Sequence, residues 1–394
     1  MKKKLLFMVI NMNVGGTEKA LLNMIEELPK DKYEITILML EKYGGFLSSI
    51  PINVHVEYVK DYSEFKNMVN DPPLLTVKNL MRKCKFVEGG MMLILYIVTK
   101  LLNDRSLLFK YLLRHHVFKN EYDVAVAYAG PMDLISYFVL NKIKAKKKIQ
   151  WIHFDVTKIG FNLRFAAKNL RKFDVVFVVS EEAKKKLIEK VPVIREKVRV
   201  FFNIISSKII QLQSREGIGF IDKYEGLRIL TVGRLSVEKG QDLAIRALDR
   251  LIKDGYNVKW YCLGEGNERS TYEELLKEYQ LEDKFVLLGA DSNPYPYMKQ
   301  CDIYVQPSRY EGYCITLSEA RCLNRPIVTT EVNGAREQIN NGITGLIVNI
   351  DDYEIYKAVK KLINNIDLCK KFTENLAKET SDSTKEIQKI YDVI

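Results

Sequence analysis

Short apolar runs bounded by loop residues alternate with helical patterns along almost the whole chain, and this alternation constrains the fold more than any other feature. The runs are LLFMVI, YEITILML, VHVEYV, YDVAVAYAG, KKIQWIHF and DVVFVVS, then LRILTVG, VKWYCLG, FVLLG, CDIYVQPS, PIVTTEV and TGLIV. A strand that is apolar along its whole length is covered on both faces, and strands alternating with helices pair in parallel through crossovers. The series breaks once, between VRVFFNIIS and GLRILTVGR, where SKIIQLQSREGIGFIDKYE follows neither period. The expectation is an α/β chain of two doubly wound, Rossmann-like domains facing one another across a cleft, with ligands at the carboxyl ends of the strands. Residues 1–205 form the first domain, 206–226 the linker and 227–377 the second domain, with a terminal helix at about 378–394 packing back on the first.

Apolar content of 47% and charged content of 28% belong to a globular chain and exclude disorder. The net charge of +11 is uneven: residues 1–200 hold 35 Lys and Arg against 21 Asp and Glu, and residues 201–394 hold 26 against 29. The first half therefore carries the basic surface. No nucleic-acid partner is expected. Six cysteines include no C-x-x-C pair, so neither a zinc site nor a disulfide framework is indicated, and a reducing cytoplasm is the expected compartment. The opening MKKKLLFMVINM imitates a signal peptide, but it lacks a small-residue cleavage site and leads straight into a glycine loop and helix. It reads as a first buried strand.

One segment, residues 77–120, is at once basic and apolar. Its central run, Met91 to Val98, is too short to cross a bilayer before Lys100 interrupts it. Two readings stand: a pair of amphipathic helices packed on the first sheet, or an interfacial surface lying on anionic lipid.

Glycines at strand ends mark candidate ligand contacts. Gly15 and Gly16 separate the first strand from a helix, leaving the helix N-terminus free for an anion or serving only as a tight turn. In the second half, LRILTVGRLSVEKGQDLAIRAL has the same design with cations added: Arg234 and Lys239 flank a loop ending at Gly240, placed to converge on a diphosphate. Gly264 and Gly266 in CLGEGNER, and Gly289 in FVLLGA, fall where strands of the second sheet should end, suiting contacts to a nucleotide base or ribose. His153 and Asp155 exit a strand of the first domain in QWIHFD. In SRYEGYCITLSEA, Glu311 and Glu319 lie eight positions apart. In a continuous helix that is about 12 Å, too far to share a proton, so Glu311 belongs on a turn opened by Gly312 and Glu319 in the helix that follows. No cluster with the setting of a metal site is found, and none is expected.

Together NVGGTEKAL, WIHFD, VVSEEAKKKL, VGRLSVEKG, LGEG, QPSRYEGYCITLSEA and GAREQINNGITGLIV make the chain resemble the retaining glycosyltransferases of family four, which have the two-domain GT-B fold. The resemblance covers nearly the whole chain, and VGRLSVEKG with its two glutamates is its most specific part. It implies that Glu311 contacts a donor sugar, that the backbone from Gly312 through Tyr313 and Cys314 to Ile315 lies against sugar and phosphate, and that Glu319 binds ribose hydroxyls. Arg234 and Lys239 match the pair that neutralises the diphosphate, and His153 matches a histidine near the donor sugar. Gly16, Gly264 and Gly289 fall on the donor side; Gly15, Glu18 and Asp155 on the acceptor side. FFNIIS stands where many members have asparagine followed by glycine, which weakens any carry-over to Asn203. The implied activity is hexose transfer from a nucleotide sugar, a UDP-sugar above others, to a saccharide acceptor, lipid-linked, in cell-surface polysaccharide synthesis. It needs no cofactor or metal and works at the inner face of the plasma membrane. Rivals are an epimerase or phosphorylase of similar fold and a silent sugar-binding partner subunit; four matched charged residues kept together favour transfer.

Overall fold

The computed structural model describes residues 2–130, 133–158, 160–379 and 382–393. The chain divides by internal contacts into two units: Met1–Asn13, Leu28–Phe201 and Lys389–Ile394 in the first, Val14–Glu27 and Phe202–Gln388 in the second.

In the first unit seven strands form one sheet: β1 (Lys3–Val9), β2 (Tyr33–Met39), β3 (His55–Tyr58), β4 (Glu121–Gly130), β5 (Lys144–Ile152), β6 (Val175–Val178) and β7 (Val198–Val200). Their order is β3-β2-β1-β4-β5-β6-β7 and every pairing is parallel. The order reverses direction between β1 and β4, so the carboxyl ends of those strands border the switch point where such sheets bind ligands. β5 shows how sequence sets depth: its first half carries exposed lysines, while Gln150, Trp151 and Ile152 are buried. Buried Gln150 accepts a hydrogen bond from Ser136 Oγ at 2.6 Å and donates to Ala127 O at 3.2 Å, so its polar ends are satisfied.

In the second unit β8 (Leu227–Val232), β9 (Val258–Leu263), β10 (Phe285–Gly289), β11 (Ile303–Gln306), β12 (Ile327–Thr330) and β13 (Leu346–Val348) pair in the order β10-β9-β8-β11-β12-β13, again all parallel. The two sheets are Rossmann-like, as the alternation predicts. The switch point here lies between β8 and β11. The helix Gln241–Lys253 puts Leu243, Ala244, Ala247, Leu248 and Leu251 into a core with Trp260 and Ile303, the 3.6-residue period of a half-buried helix. Trp260 is wholly buried, and its indole N–H is taken by Thr231 Oγ1 at 3.0 Å.

All twelve apolar runs contain strands. β7, only three residues long, is an addition to them. Residues 206–226 carry the helix Ser207–Gln213, whose Ile210 lies in a core cluster of the second unit. Near the chain end, Ser383 N donates to Ile205 O within the second unit, while Lys389 Nζ donates to Val200 O within the first. Residues 77–120 hold not a pair of helices but parts of three: Pro73–Arg82, Phe86–Leu102 and Ser106–Leu112. No helix among the described residues is long and apolar enough to cross a membrane.

Candidate functional site

At the switch point of the second sheet, two loops carry the charged residues. β8 runs into Gly233, Arg234 and a short turn, Val237–Lys239; β11 runs into Pro307, Ser308 and Glu311. They are stapled by Arg309, whose guanidinium forks Asp242 at 2.7 and 2.6 Å and donates to Val237 O, while its backbone N–H donates to Glu238 O. Gln241, fully buried, donates from Nε2 to Arg234 O at 2.8 Å and fixes the backbone that presents Arg234.

Lys239 Nζ reaches both oxygens of Glu311, at 2.7 and 2.8 Å. Burial works against the ammonium, but the Glu311 carboxylate outweighs it through its charge and its hydrogen bonds and holds the Lys239 pKa above its ordinary value. Glu311 is oriented from its other side by a buried relay: Tyr304 Oη donates to Gln306 Oε1, Gln306 Nε2 to Ser308 Oγ, and Ser308 Oγ to Glu311 Oε1 at 2.6 Å. A carboxylate so held is preorganised for a contact with a bound hydroxyl.

Glu311 is on a loop and Glu319 within the helix Ile315–Cys322, as their spacing predicts. The helix opens behind Cys314, so its first-turn amides lack helical acceptors and favour an anion. Glu319 is 3% exposed and accepts from Tyr295 Oη at 2.8 Å. Burial raises its pKa, opposed by Lys19 and by that hydrogen bond. Burial likewise pushes the Cys314 thiol up to about 12, so Cys314 is no thiolate. Tyr313 packs beside Gly334, where a Cβ would come within 2.8 Å of its ring.

The helix Gly16–Glu27 belongs by contacts to this unit. A Cβ on Gly16 would lie 3.6 Å from Ile315 Cδ1, and one on Gly15 would lie 3.7 Å from an Arg234 nitrogen and collide with Glu18 Oε2 at 2.5 Å. Gly15, Gly16, Glu18, Arg234 and Ile315 therefore gather in one place. Burial raises the Glu18 pKa, and Arg234 pulls it back. Gly264 and Gly289 meet through Gly264 N donating to Gly289 O at 2.7 Å, and a Cβ on Gly264 would stand 2.0 Å from Gly233 O. The carboxyl ends of β8, β9 and β10 thus close on one another through glycine backbone.

In the first unit, His153 follows β5 directly. Its ring packs 4.5 Å from that of Tyr128, its Nε2 is buried with no partner among the described residues, and burial lowers its pKa from 6.5 to about 3. It is a neutral imidazole. Because the unfolded chain takes a proton near 6.5 and the folded chain only near 3, His153 makes stability fall as pH drops through that window, by about 1.4 kcal/mol per unit. Thermal melts across the window should show a flatter slope for His153→Gln than for the wild type; equal slopes would mean the buried ring accepts its proton in place. Asp155 has structural duties: it accepts from Thr157 N and Oγ1 at 2.8 and 2.7 Å and pairs with Lys186 at 3.1 Å. Burial raises its pKa, yet Thr157 and Lys186 outweigh that and lower it.

Sequence reasoning missed Gln306, Ser308, Arg309 and Tyr295. A usable signal existed for one of them: Gln306 is a polar residue inside an apolar run, and in the sheet it is fully buried. Among the described residues no group of three or more His, Cys, Asp or Glu could hold a metal ion.

Over 219 residues the chain is 31% identical to the N-acetylgalactosamine-N,N'-diacetylbacillosaminyl-diphospho-undecaprenol 4-alpha-N-acetylgalactosaminyltransferase of Campylobacter jejuni, a match covering 55% of this chain and 58% of that protein. Over 218 residues it is 28% identical to the alpha-D-kanosaminyltransferase of Streptomyces kanamyceticus, covering 53% and 56%. The chain thus spans about half the length of the curated relatives it matches. Among solved structures, Anabaena HepE in complex with UDP-glucose superposes with a TM-score of 0.71 at 17% identity, over 99% of this chain and 98% of that one, a likeness of fold. Residues 221–379, which carry Arg234, Lys239, Glu311 and Glu319, match the family model for glycosyl transferases group 1.

Proposed function

We propose that this protein is a retaining glycosyltransferase of family four that moves a hexose from a UDP-sugar to a saccharide acceptor. The observation that carries the reading is the Lys239–Glu311 pair, locked by the Ser308 relay beside Arg234 at the switch point of the second sheet. As the bond between the anomeric carbon and the diphosphate oxygen breaks, its electron pair stays on the nucleoside diphosphate. Arg234, Lys239 and the amides opening the helix Ile315–Cys322 stabilise that charge, so the reaction needs no metal. The acceptor hydroxyl oxygen forms the new bond to carbon, and its proton goes to the departing diphosphate, which the broken bond has left with an extra negative charge. Glu311 holds sugar hydroxyls and Glu319 the ribose. His153, neutral at working pH, acts as a hydrogen-bonding group and not as a general acid.

The acceptor we assign is lipid-linked, met at the inner face of the plasma membrane in surface polysaccharide synthesis; the lipid carrier is supported by the Campylobacter relative, which is named for a diphospho-undecaprenol substrate. The test is release of nucleoside diphosphate from UDP-, GDP- and TDP-sugars, each with and without EDTA. Release from a UDP-sugar that survives EDTA is expected. Release only from another nucleotide sugar would overturn the nucleotide assignment, and a rate abolished by EDTA and restored by magnesium or manganese would overturn the role given to the two cations.

A further inference from the structure

The helix Phe86–Leu102 is turned inside out for a water-soluble domain. Its inward side is small: Gly89, Met92 and Tyr96 are its buried residues. Two contacts fix its rotation. A Cβ on Gly89 would lie 3.1 Å from Met81 Cε, so glycine lets the helix sit tightly on the helix Pro73–Arg82, and Tyr96 Oη donates to Met68 O at 2.7 Å. The opposite side then faces out, and it is apolar. Phe86, Leu93, Ile94, Ile97 and Leu101 recur at helical spacing and are all exposed, with Val87 86% and Leu101 76% accessible. Contiguous exposure of this kind marks an interaction surface.

The charge around the face indicates what covers it. Residues 77–120 hold nine Lys and Arg against two Asp and Glu. Both acids are paired, Glu88 with Lys85 at 3.3 Å and Asp104 with Lys168 at 2.6 Å. Arg105 is turned inward, donating to Val69 O and lying over the Phe109 ring. Lys78, Arg82, Lys83, Lys100 and Lys110 remain exposed, before, after and beside the apolar face. A second copy packed face to face would bring these cations together. At 17 residues the helix is about 25 Å long, short of a bilayer core of about 30 Å, and Lys100 stands near its end.

We infer that the Phe86–Leu102 helix lies flat in the interface of an anionic membrane, its apolar face among the upper acyl chains and the surrounding lysines and arginines at the headgroups. This deepens the proposed function by bringing the enzyme to a lipid-carried acceptor, and it rests on that reading only for the acceptor, not for the surface itself.

Flotation of the full chain with phosphatidylglycerol-containing vesicles, against pure phosphatidylcholine, tests it. The wild type should float with anionic vesicles at low salt and lose most binding at high salt, as charges are screened beyond about 8 Å near 0.15 M. Ile94→Glu/Ile97→Glu should abolish flotation, and Lys78→Gln/Arg82→Gln/Lys83→Gln/Lys110→Gln should weaken it by roughly ten-fold or more. Both variants alter exposed residues and should keep wild-type melting and wild-type release of nucleoside diphosphate, a readout that separates failure at the membrane from failure of the proposed chemistry. Absence of flotation at low salt, equal flotation with neutral vesicles, or a lipid-free dimer that Ile94→Glu/Ile97→Glu dissociates would each overturn the inference, the last by giving the face to a second copy of the chain.

Discussion

Lys239→Ala should lower turnover of the nucleotide-sugar donor by about 30- to 1,000-fold, the equivalent of about 2 to 4 kcal/mol lost from the stabilisation of a departing diphosphate. The cost to folding should be smaller. Lys239 is the cation on Glu311, and without it that carboxylate keeps Ser308 Oγ as a partner but loses its counter-charge. The lysine side chain is 24% accessible, so water replaces part of what is lost, and about 1 to 2 kcal/mol of stability is a reasonable expectation. The double variant Lys239→Ala/Glu311→Gln separates the two effects. Removing the negative charge should restore melting towards wild type, because no unpaired carboxylate is left. It should restore no turnover, because the group that meets the leaving phosphate is still missing. A Lys239→Ala protein with near wild-type turnover would remove the ammonium from the chemistry and leave the pair a structural one. Turnover recovered by the double variant would show that the defect lay in a misplaced Glu311.

Much of this arrangement is legible in the sequence, for a physical reason. Parallel strands covered on both faces must be apolar along their length, so the runs that became β1 to β6 and β8 to β13 announce themselves. The cations and glutamates of the site sit where strands end and helices begin, and strand ends can be located from the runs. What the sequence hides is proximity across the chain. Lys239 and Glu311 are 72 residues apart, and Tyr295 and Glu319 are 24 apart, with no local period linking either pair. Asp155 shows both cases: one oxygen accepts from Thr157, two residues further on, a local turn the sequence could suggest, while the other pairs with Lys186, which only the folded chain brings to it. The helix Phe86–Leu102 exposes a further limit. When apolar residues occupy most of a helix, hydropathy cannot say which side faces in, and here the decision falls to Gly89 and Tyr96.

Gly240→Ala should damage fold and turnover together, and in the same place. Gly240 ends the short turn that carries Lys239 and starts the helix Gln241–Lys253, with φ of 70°, in the left-handed region that side chains avoid. Its Cβ would stand 2.1 Å from Pro307 O, which is backbone of the opposite loop and cannot swing aside as a side chain would. Left-handed strain and overpacking each cost about 1 to 3 kcal/mol, so the variant should lose about 2 to 6 kcal/mol. For a unit of about two hundred residues that lowers the melting temperature by roughly 5 to 20 °C. The same displacement pushes the loop of Arg234 and Lys239 away from the loop of Ser308 and Glu311. Turnover should therefore fall at least ten-fold even at temperatures where the variant is fully folded by circular dichroism, because a shift of about 1 Å in a positioned group costs about 100-fold in rate. Serine here should behave like alanine, since both bring a Cβ. If Gly240→Ala melted with the wild type, the close approach of the two loops at Pro307 would be wrong. If it melted lower yet kept full turnover when folded, the spacing between those loops would have no part in the reaction.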